Sequence, residues 1–173
     1  MQHLIIELKA RTRRQAEIRA WLTENGADFR GLDEQTDTYF NLPPGAGRLK
    51  IRQGTVENNL IHYHRGNEAK ARASDVTLAA VADGAAVKDC LTRALGVLVE
   101  VRKRREIYFV DNVKIHLDEL AGLGQFIEIE AIAPAPGYPV EKLHGQCASF
   151  MQIFGIAPED ILAESYSDLL LER

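Results

Sequence analysis

Residues 97–132, VLVEVRKRREIYFVDNVKIHLDELAGLGQFIEIEAI, decide how this chain folds. Read as a strand, Val97 to Val110 sends Lys103 and Arg105 to one face and Arg102 and Arg104 to the other, because successive side chains alternate across a pleat. Asp111-Asn112 supplies a turn, after which Val113, Ile115 and Leu117 alternate with Lys114, His116 and Asp118. Gly122 and Gly124 mark a further hairpin, and Phe126, Glu128 and Glu130 then alternate with Ile127, Ile129 and Ala131. Consecutive strands thus set an apolar face against a charged one, and links this short join antiparallel neighbours.

The rhythm extends upstream. From His3 to Arg11, Leu4, Ile6, Leu8 and Ala10 share one face, with His3, Ile5, Glu7, Lys9 and Arg11 on the other. Thr12 to Ala27 reads as a helix, with Thr12 and Gln15 at capping-box spacing, an apolar stripe of Ile18, Trp21 and Leu22, and Gly26 as its stop. Phe29 to Leu42 reads as a strand before the Pro43-Pro44-Gly45 turn. Arg48 to Gln53 opposes Leu49 and Ile51 to Arg48, Lys50 and Arg52; Leu60 to Arg65 opposes Ile61, Tyr63 and Arg65 to His62 and His64. Gly66 to Arg72 reads as a loop, Asp75 to Val81 as a strand, and Asp83 to Leu95 as a helix closed by Gly96. Beyond the break at Pro134 to Pro139, Val140, Leu143, Cys147, Phe150, Met151 and Phe154 stripe a last long helix, and Asp160 to Leu171 reads as a short helical tail. No linker interrupts the pattern, so residues 1–173 are expected to form a single domain.

The 173 residues are 46% hydrophobic and 27% charged, which excludes a disordered or collagen-like chain. With 21 Lys and Arg against 25 Asp and Glu, the net charge of −4 argues against a general nucleic-acid binder, so any anion must be met by a local cluster. Cys90 and Cys147 are too few for a disulfide framework and point to a reducing compartment. The opening MQHLIIELKAR turns charged at Glu7, offering neither a signal-peptide core nor a membrane span. The expectation is a cytoplasmic protein without membrane or nucleic-acid partners.

An ordinary half-buried strand shows water a mixed polar face. Here the polar faces are nearly all charged and sorted by sign: Lys50, Arg52, Arg65, Lys103, Arg105 and Lys114 are basic, Asp118, Glu128 and Glu130 acidic, and Glu7 and Lys9 supply one of each. Closed into a barrel with these faces inward, the strands would line a lumen suited to a polyanion bridged by divalent cations, since guanidinium and ammonium groups bind phosphate and carboxylates hold hard cations. Asp118 and Glu128 flank the glycine hairpin, and two close carboxylates repel unless a cation lies between them. Alternation alone equally admits a two-layer sheet whose charged face meets water. His62 and His64 lack a third ligand at metal spacing and read as surface groups, whereas Tyr63 and His116 share the charged faces.

In order along the chain, Ile6-Glu7-Leu8-Lys9 with Arg11, Gln35-Thr36-Asp37-Thr38-Tyr39-Phe40, Arg48-Leu49-Lys50-Ile51-Arg52, Ile61-His62-Tyr63-His64-Arg65, Val101-Arg102-Lys103-Arg104-Arg105, Val113 to Leu120, and Gly124-Gln125-Phe126-Ile127-Glu128-Ile129-Glu130 resemble the blocks of CYTH domains, the triphosphate tunnel metalloenzymes. The tail Ser165-Tyr166-Ser167-Asp168-Leu169-Leu170 resembles the class IV adenylate cyclase-like branch. The resemblance implies an α+β fold, an eight-stranded antiparallel closed β-barrel with helices packed outside, binding a triphosphate such as ATP with Mg²⁺ or Mn²⁺. It implies metal ligands at Glu7, Asp118, Glu128 and Glu130 and phosphate-binding residues at Lys9, Lys50, Arg52, Arg65, Lys103, Arg105 and Lys114. Glu7, Lys9, Asp118 and Glu128 would be catalytic. The reaction implied is cyclisation of ATP to cyclic AMP and pyrophosphate; hydrolysis of inorganic, thiamine or nucleoside triphosphate, or binding without turnover, are its rivals. Cyclase relatives imply a homodimer. One departure stands out: the family's Glu-x-Glu-x-Lys signature reads Ile5-x-Glu7-x-Lys9 here, which removes a carboxylate and bears on a second metal site.

Overall fold

The computed structural model describes residues 2–65 and 72–173, with side chains described over 4–64 and 76–173. The elements run β1 (Gln2–Arg11), α1 (Gln15–Glu24), β2 (Asp28–Phe40), β3 (Arg48–Gln53), β4 (Asn58–Arg65), β5 (Arg72–Ala80), α2 (Gly84–Leu95), β6 (Val97–Val110), β7 (Val113–Leu120), β8 (Gly124–Ile132) and α3 (Val140–Ile153). A short 3₁₀ turn (Pro158–Asp160) and α4 (Tyr166–Leu171) follow. The expected loop from Gly66 lies outside the described residues up to position 71.

All neighbouring strands are antiparallel, in the order β1-β5-β4-β3-β2-β6-β7-β8. β1 also pairs with β8, Glu7 opposite Glu130 and Lys9 opposite Glu128, so the ladders run all the way round as a closed barrel. Closure leaves no free sheet edge among the described strands. It also settles the direction of the faces: the charged side chains turn inward, and the apolar ones need cover from outside.

That cover comes from α1 and α3. Ile6, Leu8 and Ala10 of β1, Ile115 and Leu117 of β7, and Ile127 and Ile129 of β8 pack against Ile18 and Leu22 of α1 and Leu143, Cys147 and Phe150 of α3. Trp21 meets Phe150 and Phe154 edge-on at 6.1 and 5.4 Å. Buried Cys147 is thus a core residue, as its place in the stripe predicts. Gly96, with φ of 73°, lets α2 pass straight into β6, a backbone angle that favours glycine.

A smaller apolar cluster lies inside the barrel. Tyr39, Ile61, Tyr63, Val101, Leu120 and Phe126 pack there with Tyr166 of α4, and Leu169 and Leu170 lie against them. A capping box formed by Ser165 and Asp168 starts α4, and Arg48 of β3 donates to Ser165, Ser167 and Asp168 at 2.8, 2.9 and 2.7 Å. The tail is therefore helical only over α4: Ile161 runs extended and bridges Ala10.

A second expectation needs correcting. The helix after β1 begins at Gln15 and its N-cap, Arg14, makes no side-chain cap. Gln15 does not close a box with Thr12; it is buried and donates to the carbonyl oxygens of Asp118 and Phe126 at 2.8 and 3.0 Å. Two strand carbonyls outcompete the local cap because a buried carbonyl without a partner costs more than an exposed helix end.

Candidate functional site

Inside the barrel, one cavity of about 140 Å³ is bordered by the cations Lys9, Lys50, Arg52, Lys103, Arg105 and Lys114 and the carboxylates Glu7, Glu57, Glu128 and Glu130. Its other wall is apolar, built from Ile5, Tyr39, Ile61, Tyr63, Val76 and Leu78. The pleat explains the sorting. Lys103 and Arg105 are buried, whereas Arg102 and Arg104 are 80% and 53% exposed on the outer face of β6. The Arg65 side chain lies outside the described residues.

The cations are held in two groups. Asp37 of β2 is fully buried and accepts from Lys50 at 2.8 Å, from Lys103 at 2.8 Å, and from Arg52 through two nitrogens at 2.8 and 3.0 Å. Burial works to raise its carboxyl pKa, but the charges of Arg52, Lys103 and Lys50 prevail and hold it well below the ordinary range. Arg52 also reaches Glu57 at 2.9 Å, and Lys114 binds the other oxygen of Glu57. Glu57 itself is placed by the turn after β3, where buried Asp33 accepts from the backbone N–H groups of Val56 and Glu57, both at 3.0 Å.

The second group centres on Arg105, opposite Asp118 in the β6–β7 ladder. Its guanidinium takes Asp118 in bidentate fashion, Nε reaching Oδ1 at 2.6 Å, and gives a further bond to Glu128 at 2.6 Å. The Tyr166 hydroxyl donates to Asp118 at 2.7 Å, and Lys9 sits 3.9 Å above the Tyr166 ring while pairing with Glu128 at 2.8 Å. Burial pushes the Tyr166 pKa up, and the Asp118 and Glu128 charges push it further, so the hydroxyl keeps its proton. For Glu128, burial is again overcome, here by Lys9 and Arg105, and the carboxylate stays ionised.

Lys103 moves the opposite way from Arg52 and Arg105, whose pKa values are raised. Burial, then the nearby charge of Arg105, bring its amine down to about 7 despite Asp37.

One group of side chains has metal-ligand geometry. Donor atoms of His116, Glu128 and Glu130 lie within 4.8 Å of one another. The ladder makes the group: His116 faces Glu128 across β7–β8, and Glu130 stands between Lys114 of β7 and Glu7 of β1. Of the residues that the resemblance marks as ligands, the structure brings Glu128 and Glu130 together and sets Glu7 beside Glu130 in register. Asp118 stands outside the group, and its oxygens are bonded to Arg105 and Tyr166. His116, which alternation alone puts on this face, joins it. Asp37, Glu57 and Tyr166 belong to the site without having been marked; the alternation of Gln35, Asp37 and Tyr39 carried a signal for the first, whereas Glu57 and Tyr166 lie outside any strand. His62 and His64 face outward as expected, stacked edge-on at 5.0 Å with His62 bonded to the Ala46 carbonyl oxygen at 2.7 Å.

The CYTH domain family matches residues 3–166, and this chain belongs to that family. Its fold is shared with the PH1012 protein of Pyrococcus horikoshii OT3, which is 26% identical with a TM-score of 0.81 over 95% of this chain and 98% of that one. A Vibrio parahaemolyticus protein thought to be an adenylate cyclase superposes with a TM-score of 0.72 at 20% identity, over 97% and 98% of the two chains. HpAC1 from Hippeastrum, thought to be an adenylyl cyclase and found to have a dominant triphosphatase activity, does so at 0.63 and 16% identity, over 98% and 94%. No curated protein sequence matches this chain. Among the described residues, no helix is long and apolar enough to cross a membrane.

Proposed function

We propose that the lumen binds a triphosphate with a divalent cation and turns it over, and that the reaction is cyclisation of ATP to cyclic AMP and pyrophosphate. The observation that carries this reading is the convergence of six cations on one cavity beside a cluster of metal-donor side chains. Arg52, Arg105 and Lys103 are the anchors: Asp37 and Asp118, buried behind them, hold their nitrogens in place before any ligand arrives. Preorganised donors of this kind stabilise charge that builds on a leaving pyrophosphate without reorganising as it forms. Lys9, Lys50 and Lys114 add point charges around the same space, and the apolar wall of Ile5, Ile61, Tyr63, Val76 and Leu78 gives an organic group somewhere to lie.

The donor set fits Mg²⁺ or Mn²⁺, with Glu128 and Glu130 supplying the hard oxygens those ions take. Bound there, such an ion would screen the phosphates and lower the pKa of an attacking hydroxyl. Asp118 acts in this scheme as a positioning residue for Arg105, and Tyr166 holds Asp118 from the other side.

Hydrolysis is the second reading, because water attacking the γ-phosphorus needs the same cradle. The Hippeastrum protein illustrates that one fold carries both expectations. Phosphorus NMR of purified protein with Mg²⁺ or Mn²⁺ tests the choice, offering ATP, inorganic triphosphate and thiamine triphosphate in turn. Cyclic AMP with pyrophosphate is the expected product from ATP. Orthophosphate without cyclic AMP would move the assignment to a triphosphatase, and binding without turnover would make the lumen a triphosphate-binding module.

A further inference from the structure

His116 is among the most deeply buried polar side chains of the barrel, 1% exposed, yet hydrogen bonding does not account for its burial. Its Nδ1, the nitrogen turned toward the carboxylates, makes only long contacts, 3.4 Å to Glu128 and 3.6 Å to Glu130, and its Nε2 has no partner among the described residues. Buried polar groups left this way are costly, and the exceptions in native proteins mark ions, waters or chemistry. The neighbours make the point sharper. Every other polar side chain on the inner faces of β6 and β7 is engaged: Lys103 with Asp37, Arg105 with Asp118, Lys114 with Glu57.

The separations are those of donors that share an ion. Two ligands held about 2.1 Å from one metal stand roughly 3.0–3.6 Å apart across the usual range of angles, and Nδ1 meets both carboxylates at that spacing. The donor set is also short of one oxygen. Position 5, on the opposite flank of the β1–β8 ladder, is isoleucine and belongs to the apolar wall, so it supplies no donor.

We propose that His116 is a metal ligand, completing with Glu128 and Glu130 a nitrogen-containing site, and that this makes the lumen select Mn²⁺ over Mg²⁺. Imidazole suits transition metals, while Mg²⁺ demands oxygen and sheds water reluctantly. The inference rests on the metal-binding part of the function proposed above, but says which ion the site prefers and why.

The test uses pulsed electron paramagnetic resonance of the full chain titrated with Mn²⁺ alone. The expected result is one tightly bound Mn²⁺ with ¹⁴N coupling from a directly bound imidazole, replaced by ¹⁵N coupling when histidine is isotope-labelled. His116→Gln should abolish that coupling and weaken Mn²⁺ binding by roughly tenfold or more while changing Mg²⁺ binding little. Mn²⁺ bound without nitrogen coupling in the wild type would overturn the inference and leave the triphosphate reading standing. Coupling that survives in His116→Gln would place the nitrogen elsewhere, as at the exposed His62–His64 pair, and would overturn it too. Absence of any bound Mn²⁺ would overturn both. The wild-type spectrum decides the matter even if the variant fails to fold.

Discussion

Two pairs of carboxylates face the same lumen and do different work. Asp37 and Asp118 are 1% and 0% exposed, and their oxygens are consumed by lysine, arginine and tyrosine donors. Glu128 and Glu130 are 15% and 19% exposed by side chain, and their carboxylates turn toward His116 and the cavity. The difference is one of depth. A carboxylate sealed behind cations is ionised because they surround it, and in return it fixes where they point. A carboxylate at the cavity surface, even one held by Lys9 and Arg105 as Glu128 is, can still meet an exchangeable partner. Chemical type does not separate the two roles; burial does.

The largest effect that would break this comparison is on stability. Asp118→Ala leaves Arg105 buried with only Glu128, and removal of one partner from a buried pair costs about 3–5 kcal/mol. Urea denaturation should show that loss, whereas Glu130→Gln should stay within about 1 kcal/mol of wild type and instead lower Mn²⁺ affinity by roughly 10-fold or more. Equal destabilisation by the two would erase the distinction.

Lys103→Met should act in the opposite direction, raising the stability of the ligand-free protein by about 1–2 kcal/mol at neutral pH while weakening triphosphate binding. The sign follows from its amine, which falls from 10.5 in the ordinary state to about 7 in the fold. A lowered lysine means the folded state resists protonation. The penalty is full below pH 7, is relieved as the pH rises toward 10.5, and is gone above that. The gap between variant and wild type should therefore close across that window in denaturation curves.

The smallest effect sharpens the comparison from the ligand's side. A triphosphate brought beside Lys103 favours its charged form, so binding near pH 8 should take up close to one proton. Calorimetry in buffers of different ionisation enthalpy measures that number directly, and Lys103→Met should abolish the uptake.

Much of this was legible in the chain because its information was local. Alternation places Lys103 and Arg105 inside and Arg102 and Arg104 outside, and it puts Glu7 and Lys9 on the face that meets Glu130 and Glu128. What escaped depends on contacts distant in sequence. Nothing near Asp118 says that the Tyr166 hydroxyl, 48 positions on, will take one of its oxygens. Gln15 looks like a helix cap until the carbonyls of Asp118 and Phe126 arrive from more than a hundred residues away. Glu57 lies in a turn with no periodicity to expose it, held by Asp33 from the neighbouring strand. His116 was visible as an inward residue, but its meeting with Glu128 and Glu130 required the register of β7 against β8.

The central claim is that the six cations form one triphosphate cradle. Isothermal titration with ATP and Mg²⁺ tests it most directly, on the wild type and on Arg52→Ala, a change in the Asp37 group and not among the metal-donor side chains. Saturable one-to-one binding that the variant weakens by at least about tenfold, as loss of one charge-assisted contact of 1.5–3 kcal/mol requires, is the predicted result. Binding to the wild type that Arg52→Ala leaves unchanged, or no binding to either, would contradict it.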